Sequence, residues 1–440
     1  MPHFRSFGAM PRLLIKNARA LLGTHPAEVT RVGGAAIAAL PALEDAWLLA
    51  VDGRIEAFGP MSAWPGVSDW NGLTVIEADG RYVLPGWCDP HTHTVFAAWR
   101  EEEWVMRLRG ASYQEIAAAG GGILNSARKL RAMSEEELFF GAKARLEEMM
   151  RLGTVAVEIK SGYGLSLESE LKMLRVIKRL KNDLPLQLKA TLLAAHALPE
   201  EFKDRRDAYL DLIVKELIPQ AAAEKLADFV DVFCETNYFT VAEMERILEA
   251  GNAHGLPGKV HVNQFSSIGA IAAAVKHHAL SVDHLEVMSE ADFAALSHVA
   301  LRRAQGDMGP MPTALPGCSH FLGIPYTPGR RLIEQGCALA LATDFNPGSS
   351  PSANMNTVVS LACTQMKLLP EEAINAATLN AAAAMQLERE VGSIAVGKRA
   401  SLIITREIPS PALLPYCFGS DLIDTVIIDG TIVRAGAAVA

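Results

Sequence analysis

The sequence predicts an α/β protein: a (β/α)8 TIM barrel with a small β-sandwich-like domain formed by both chain termini. Three observations carry this. From the Pro85–His93 stretch onward, short apolar segments alternate with helical ones, eight such units over about 290 residues, near the ~250 typical of such barrels. The ionisable residues of these segments collect at one end, as on the active rim of a barrel. Outside this region both chain ends read as extended segments joined by Asp-Gly turns. An open doubly wound sheet is the runner-up, weakened because no Gly-x-Gly-x-x-Gly opens a helix after a first strand. The expected boundaries are residues 1–84 and 388–440 for the composite β domain and 85–387 for the barrel.

The 440 residues are more than one hydrophobic core normally serves, and 50% hydrophobic with 21% charged residues is ordinary for a globular protein. A net charge of −9 without a basic run argues against nucleic acid, so an anionic ligand needs a local cation. Cys88, Cys234, Cys318, Cys337, Cys363 and Cys417 form no Cys-x-x-Cys pair, which suggests buried thiols in a reducing compartment. No signal peptide or membrane span is read. The expectation is a cytoplasmic protein acting on a small molecule, with a homodimer left open.

In chain order, residues 1–10 read as a loose tail. Trp47–Val51 and Arg54–Phe58 flank Asp52-Gly53, and Thr74–Ala78 and Arg81–Leu84 flank Asp79-Gly80; each pair predicts a hairpin, because both turn residues need positive φ. Ser134 with Glu137, and Thr240 with Glu243, are capping boxes that open helices. Strands are expected at Thr154–Lys160, Leu186–His196, Phe229–Cys234, Lys259–Val262, Leu280–Leu285, Thr313–Leu315 and Cys337–Thr343. Helices are expected around Glu168–Leu180, Asp207–Ile218 and Gly269–His277. Residues 352–386 read as helical. Ser401–Ile404 and Thr425–Val433, with Asp429-Gly430 as a turn, return to sheet.

The organising stretch is Pro85 to His93. In a strand, residues i and i+2 share a face, so His91 and His93 send both imidazoles to one place. With His261 and Asp344 on other strand ends they make a three-nitrogen, one-oxygen set suited to zinc or iron. A bound metal lowers the pKa of its water to about 7. Asp344 is then placed to take the water's proton and pass it to a leaving nitrogen; an N-cap role for Asp344 is the bland alternative. His284 reads as a proton shuttle and His196 as a group that polarises a substrate carbonyl, each against the alternative of a core histidine. Arg100, just past His93, is placed to hold a carboxylate. Tyr163 lies between the glycines Gly162 and Gly164, which allow close approach. Lys160 is either a modified bridging ligand or a partner of Glu158 in a buried ion pair. Gly120 to Gly122 reads as a flexible lid or a turn close to substrate, and His3, His25, His254, His277, His278, His298 and His320 as solvated surface.

These residues carry a likeness. PGWCDPHTHTVFAAWR, AAGGGI (118–123), VEIKSGYGL (157–165), AAHALP (194–199), FCE (233–235), KVHVNQF (259–265), VDHLE (282–286), LPGCSHFL (315–322), ATDFNPGSSP (342–351) and GSIAVGKRASLII (392–404) together resemble the imidazolonepropionase family of the amidohydrolase superfamily. The chain departs from the family pattern at Val262-Asn263, Phe345 and Ser401, none of them a proposed ligand.

The resemblance implies a hydrolase acting on a cyclic amide C–N bond, which opens 4-imidazolone-5-propanoate to N-formimidoyl-L-glutamate in histidine degradation. It implies one Zn2+ or Fe3+ per subunit on His91, His93, His261 and Asp344. Asp344, His284, His196 and Gln264 would serve catalysis. Arg100, Tyr163, His196, Gln264, Asn346, Gly348 and Ser349 would bind the substrate or the product. The alternatives are a related amidohydrolase acting on another cyclic amide or deaminating a nucleobase, and a non-catalytic barrel used as an interaction module.

Overall fold

The computed structural model describes residues 12–111, 115, 121–301 and 309–437. The expected loose tail at 1–10 and residues 302–308, before the seventh barrel strand, lie outside them. Strands β6 (Trp87–Thr92), β7 (Thr154–Lys160), β8 (Gln187–Ala195), β9 (Phe229–Cys234), β10 (Gly258–Val262), β11 (Ser281–His284), β12 (Met311–Ala314) and β13 (Ala340–Leu341) form one parallel eight-stranded sheet in sequential order. Apart from Gln187 and Lys189 at the start of β8, every residue of the eight strands is buried, because helices cover the outside and side chains fill the inside. The ring closes where Thr92 bridges Phe345: the amide of His93 donates to the carbonyl of Phe345 at 2.8 Å, and that of Asp344 to His91 at 3.1 Å. Asp89 on β6 reinforces the join by accepting from the amide and hydroxyl of Thr343, at 3.0 and 2.5 Å.

The second sheet draws on both sides of the barrel. β1 (Arg12–Leu22), β2 (Ala42–Val51), β3 (Arg54–Pro60), β4 (Leu73–Glu77) and β5 (Tyr82–Pro85) come before it; β14 (Leu402–Thr405), β15 (Ile423–Ile428) and β16 (Thr431–Arg434) come after. The order is β16-β15-β14-β5-β1-β2-β3, with β4 also on β1. Leu13, Ile15, Leu48, Val83, Leu402 and Ile427 share its core. The passage from sheet to barrel is abrupt. The amide of Gly86 donates to Ser401 in the sheet at 3.0 Å, and that of Trp87 donates to Gly153 beside the barrel at 2.9 Å. A β-carbon on Gly86 would lie 2.2 Å from Cγ1 of Val155, so only glycine allows this turn.

Both capping boxes form, opening Glu135–Arg151 and Val241–Ala253. The Asp52-Gly53 and Asp429-Gly430 turns form with positive φ at both residues. The Asp79-Gly80 hairpin does not. β4 and β5 lie end to end, both parallel to β1, and only Gly80 of the pair has positive φ. An Asp-Gly pair reports a reversal in φ but not the partner of the next strand, and β1 is long enough to hold both segments. The expected strand Cys337–Thr343 contracts to Ala340–Leu341, and the helix expected near Asp207–Ile218 extends to Ala223 through a wide turn at Ile213–Leu217. Residues 352–386 divide into Met355–Thr364, Pro370–Ala377 and Leu379–Ala383, interrupted at Thr378, whose φ and ψ of −122° and −89° are not helical.

Candidate active site

The two histidines of the His-x-His pair come together as the strand period requires. Their ring centroids are 5.4 Å apart, and His261 lies 4.3 Å from His91 and 5.5 Å from His93. Oδ1 of Asp344 is 3.6 Å from Nε2 of His91 and 3.5 Å from Nε2 of His93, the spacing of donors around a shared cation rather than of a hydrogen bond. All four side chains are buried. The helix that an N-cap reading of Asp344 would need starts at Met355 and is capped by Asn354.

Carboxylates beneath the rim set the imidazoles. Nδ1 of His91 is 2.7 Å from Oδ2 of Asp283, and Nδ1 of His261 is 3.0 Å from Oδ2 of Asp231. At His91 this contact is a hydrogen bond, which fixes the proton on Nδ1 and leaves Nε2 as a lone-pair donor, whereas at His261 the carboxylate lies at ion-pair distance without hydrogen-bond geometry. Nε2 of His91 and of His261 are buried with no hydrogen-bond partner. Such orphaned nitrogens are costly unless something else engages them, so the donor set fits a metal ion. Lys160 sits below, with Nζ 2.6 Å from Glu158 and 2.8 Å from Asp231, while Lys259 pairs with Glu158 at 2.5 Å. Its ammonium is thus engaged by acids, which is the ion-pair reading and not that of a bridging ligand.

Burial, reinforced by Lys160 and by neighbouring imidazoles, holds His91 well below the usual imidazole range. Burial also lowers His261 to about 4, against the pull of Asp231, and holds His196 far down, helped by His93 and His261. Burial opposes ionisation of Asp344, but His93, His284 and His261 outweigh it and keep the carboxyl below its ordinary value. Burial likewise opposes a charge on His284, yet Glu286, 3.2 Å from Nδ1, more than offsets it and raises that imidazole. His284 and Asp344 both have positive φ, 87° and 53°. Non-glycine residues held there store strain, a common property of functional rims.

A cavity of 320 Å3 opens above these donors. Arg100, Tyr163, His196, Gln264, Asn346, Gly348 and Ser349 line it together with His93, His261, His284 and Asp344. Every residue expected from the sequence in substrate binding or catalysis therefore reaches one space. Nδ1 of His196 lies 2.9 Å from the carbonyl of Gly162, which only accepts, so that nitrogen carries a proton. Nε2 of the neutral ring is then an acceptor, suited to a ligand N–H rather than to polarising a carbonyl.

The sequence model of the amidohydrolase family matches residues 82–433, spanning the whole barrel and the return to the second sheet. The chain belongs to the amidohydrolase family. It is 54% identical over 420 residues to the imidazolonepropionase of Flavobacterium johnsoniae, covering 96% of this chain and 99% of that one. It is 50% identical to that of Christiangramia forsetii, over 96% and 100% of the two chains. It is 45% identical to that of Symbiobacterium thermophilum, over 88% and 89%. Among solved structures, an adenosine deaminase from Xanthomonas campestris with bound zinc superposes with a TM-score of 0.68 at 18% identity, over 97% of this chain and 94% of that chain. Guanine deaminase of E. coli gives 0.72 at 15% identity, over 96% and 99%. These likenesses carry the fold.

In this amidohydrolase several site residues escape a reading by strand ends. Glu103 and Arg107, on α1 (Glu101–Leu108), line the cavity. Their signal is the spacing 100, 103, 107, one face of a helix. Glu170 accepts the amides of Gly162, Gly164 and Leu165 at 3.0, 2.7 and 2.7 Å, holding the loop of Tyr163. Asn346 organises the last rim loop: its Oδ1 accepts the amides of Gly348 and Ser349, each at 2.8 Å, and its Nδ2 donates to the carbonyl of Asp344 at 2.7 Å. Gln264 donates to the thiol of Cys318 at 3.3 Å. His25, expected on the surface, is buried against Asn375 at 3.0 Å. Gly122, of the glycine cluster, gives its amide to Glu103 at 3.1 Å; Gly120 lies outside the described residues. No helix among the described residues is long and apolar enough to cross a membrane.

Proposed function

We propose that this amidohydrolase opens the ring of 4-imidazolone-5-propanoate to N-formimidoyl-L-glutamate, a step of histidine degradation, at a single metal held by His91, His93, His261 and Asp344. The observation that carries the reading is the pair of orphaned Nε2 atoms on His91 and His261, held by Asp283 and Asp231, beside a carboxylate that is itself kept ionised. Zn2+ or Fe3+ suits these donors, and one ion serves each subunit. Such a metal supplies Lewis acidity and lowers the pKa of water to about 7.

The chain's own residues do the rest. Water adds through its oxygen to the ring carbonyl carbon, and Asp344, ionised beside the histidines, accepts the proton that water loses. The same proton goes to the ring nitrogen as the C–N bond breaks, leaving a carboxylate and an amidine. His284, whose hold on a proton is raised by Glu286 against the effect of burial, offers a proton or a positive charge to the oxygen that develops negative charge. The bare Nε2 of His196 accepts a ring N–H, and Tyr163, whose ring centroid is 5.4 Å from that of His196, closes the same wall. Arg100 holds the propionate, and Gln264, Asn346, Gly348 and Ser349 line the path of the product's glutamate part. The small anionic heterocycle is the ligand of this reading, and the cytoplasm its setting.

The test is a spectrophotometric assay on freshly generated imidazolone-propionate, before and after removal of the metal by a chelator and its return. Ring opening that is lost and then regained supports the reading. Protein with stoichiometric metal that leaves this substrate intact but deaminates a nucleobase would replace it.

A further inference from the structure

We propose that Arg107 binds the ligand's carboxylate and carries the net positive charge of a two-guanidinium subsite, whose other member, Arg100, is already neutralised. The ring-hydrolase reading supplies only the identity of the carboxylate-bearing tail; the subsite itself rests on geometry and charge.

Arg100 caps α1, and Glu103 and Arg107 follow at +3 and +7, so all three present to one side and line the cavity. Glu103 is committed to Arg100. Its Oε2 accepts from Nε at 2.9 Å and from Nη2 at 2.6 Å, and its Oε1 accepts the amide of Gly122 at 3.1 Å. Among the described residues no carboxylate lies within ion-pair distance of the guanidinium of Arg107, which donates Nη2 to the carbonyl of Gly348 at 3.0 Å and lies 5.6 Å from the ring of Phe321. Its burial and the charge of Arg100 weigh on it more than Glu103 relieves.

Two guanidiniums and one carboxylate leave a single positive charge at this end of the cavity. Asp344, which lines the same cavity, repels an anion, so an anionic tail is directed toward the arginines. Both guanidiniums also converge on one residue. Arg107 bonds the carbonyl of Gly348, and Nη1 of Arg100 lies 2.3 Å from where a β-carbon of Gly348 would stand. A carboxylate seated beside Gly348 therefore meets both, in the planar fork geometry that favours arginine over lysine.

The test measures binding of N-formyl-L-glutamate to the metal-loaded full chain by calorimetry. Arg107→Gln is expected to weaken binding roughly tenfold or more. Adding Glu103→Gln to that variant frees the charge of Arg100 and is expected to restore most of the affinity, which a merely structural role for Arg107 would not produce. Unchanged binding in Arg107→Gln, a double variant no better than Arg107→Gln, or a wild type that does not bind the probe would each overturn the proposal. A wild type that binds the probe in an Arg107-dependent way yet leaves imidazolone-propionate unopened would sink the proposed reaction and leave this subsite standing.

Discussion

Nη1 of Arg100 occupies the space that a β-carbon on Gly348 would take, at 2.3 Å. A flexible arginine would ordinarily move aside, but two hydrogen bonds to Glu103 hold this one. Gly348 is thus a glycine for the sake of a neighbour on a different rim loop. Gly348→Ala is expected to push Arg100 out of register and cost one charge-assisted contact to the substrate, so KM rises roughly tenfold or more while metal content is unchanged. Steady-state kinetics with metal analysis check this; a KM within error of wild type contradicts it.

Oδ2 of Asp283 lies 2.7 Å from Nδ1 of His91, deep in the barrel. Asp283→Asn replaces an acceptor by a group that also donates, which releases the proton from Nδ1 to Nε2. Metal affinity is expected to fall about 10–100-fold, the usual effect of losing such an anchor. Competition with a chelator measures it, with circular dichroism as the control for folding.

Glu170 accepts three amides from the loop that carries Tyr163. Glu170→Gln turns one of its oxygens into a donor facing another donor. We expect a loss of about 1–3 kcal/mol of stability and a higher KM, with little change in metal content. Combining it with Tyr163→Phe should give less than the sum of the two single effects on KM, because both act through the same side chain. Strict additivity would show that Glu170 does not act through Tyr163.

The metal-free protein should lose stability as the pH falls. His91, His196 and His261 are all held below 6.5, His261 at about 4. Between those values the unfolded chain binds more protons than the folded one, so acid favours unfolding. The loss begins as pH drops below about 6.5 and is complete once it passes the folded values. His284, raised against burial by Glu286, and the buried carboxyls of Asp89, lifted by burial to about 7, Asp283, Glu286 and Glu170 work in the opposite sense, so the expected fall is the part of the three imidazoles that these groups do not offset. Thermal unfolding of chelated protein at pH 8 and pH 5 reads this directly, and an equal Tm at both would refute it.

Much of this was legible because strand periodicity is short and local. Thr154–Lys160 and Phe229–Cys234 match the expected residues end to end, and His91 with His93 followed from a period of two. The capping boxes at Ser134 and Thr240 likewise need only four consecutive residues. What was hidden depends on contacts between distant segments. Asp79-Gly80 looks like Asp52-Gly53, yet the strand after it joins β1 rather than its predecessor. Asp231 and Asp283 lie within apolar strands, where nothing local says that each faces a histidine 30 or 192 residues away. Glu103 and Arg107 belong to a helix beyond the first rim strand and were invisible to a reading confined to strand ends.

The first and last strands of the ring meet at Asp344 and His91, and the same two residues face each other as donors. Their backbones share a hydrogen bond of 3.1 Å, while their side chains stand 3.6 Å apart. A cation seated between them would act as a clasp at the seam of the cylinder, tying together segments some 250 positions apart in the chain. Stripping the ion would loosen that seam before the other seven junctions, so amide exchange at residues 343 to 346 should be the first to quicken in metal-free protein.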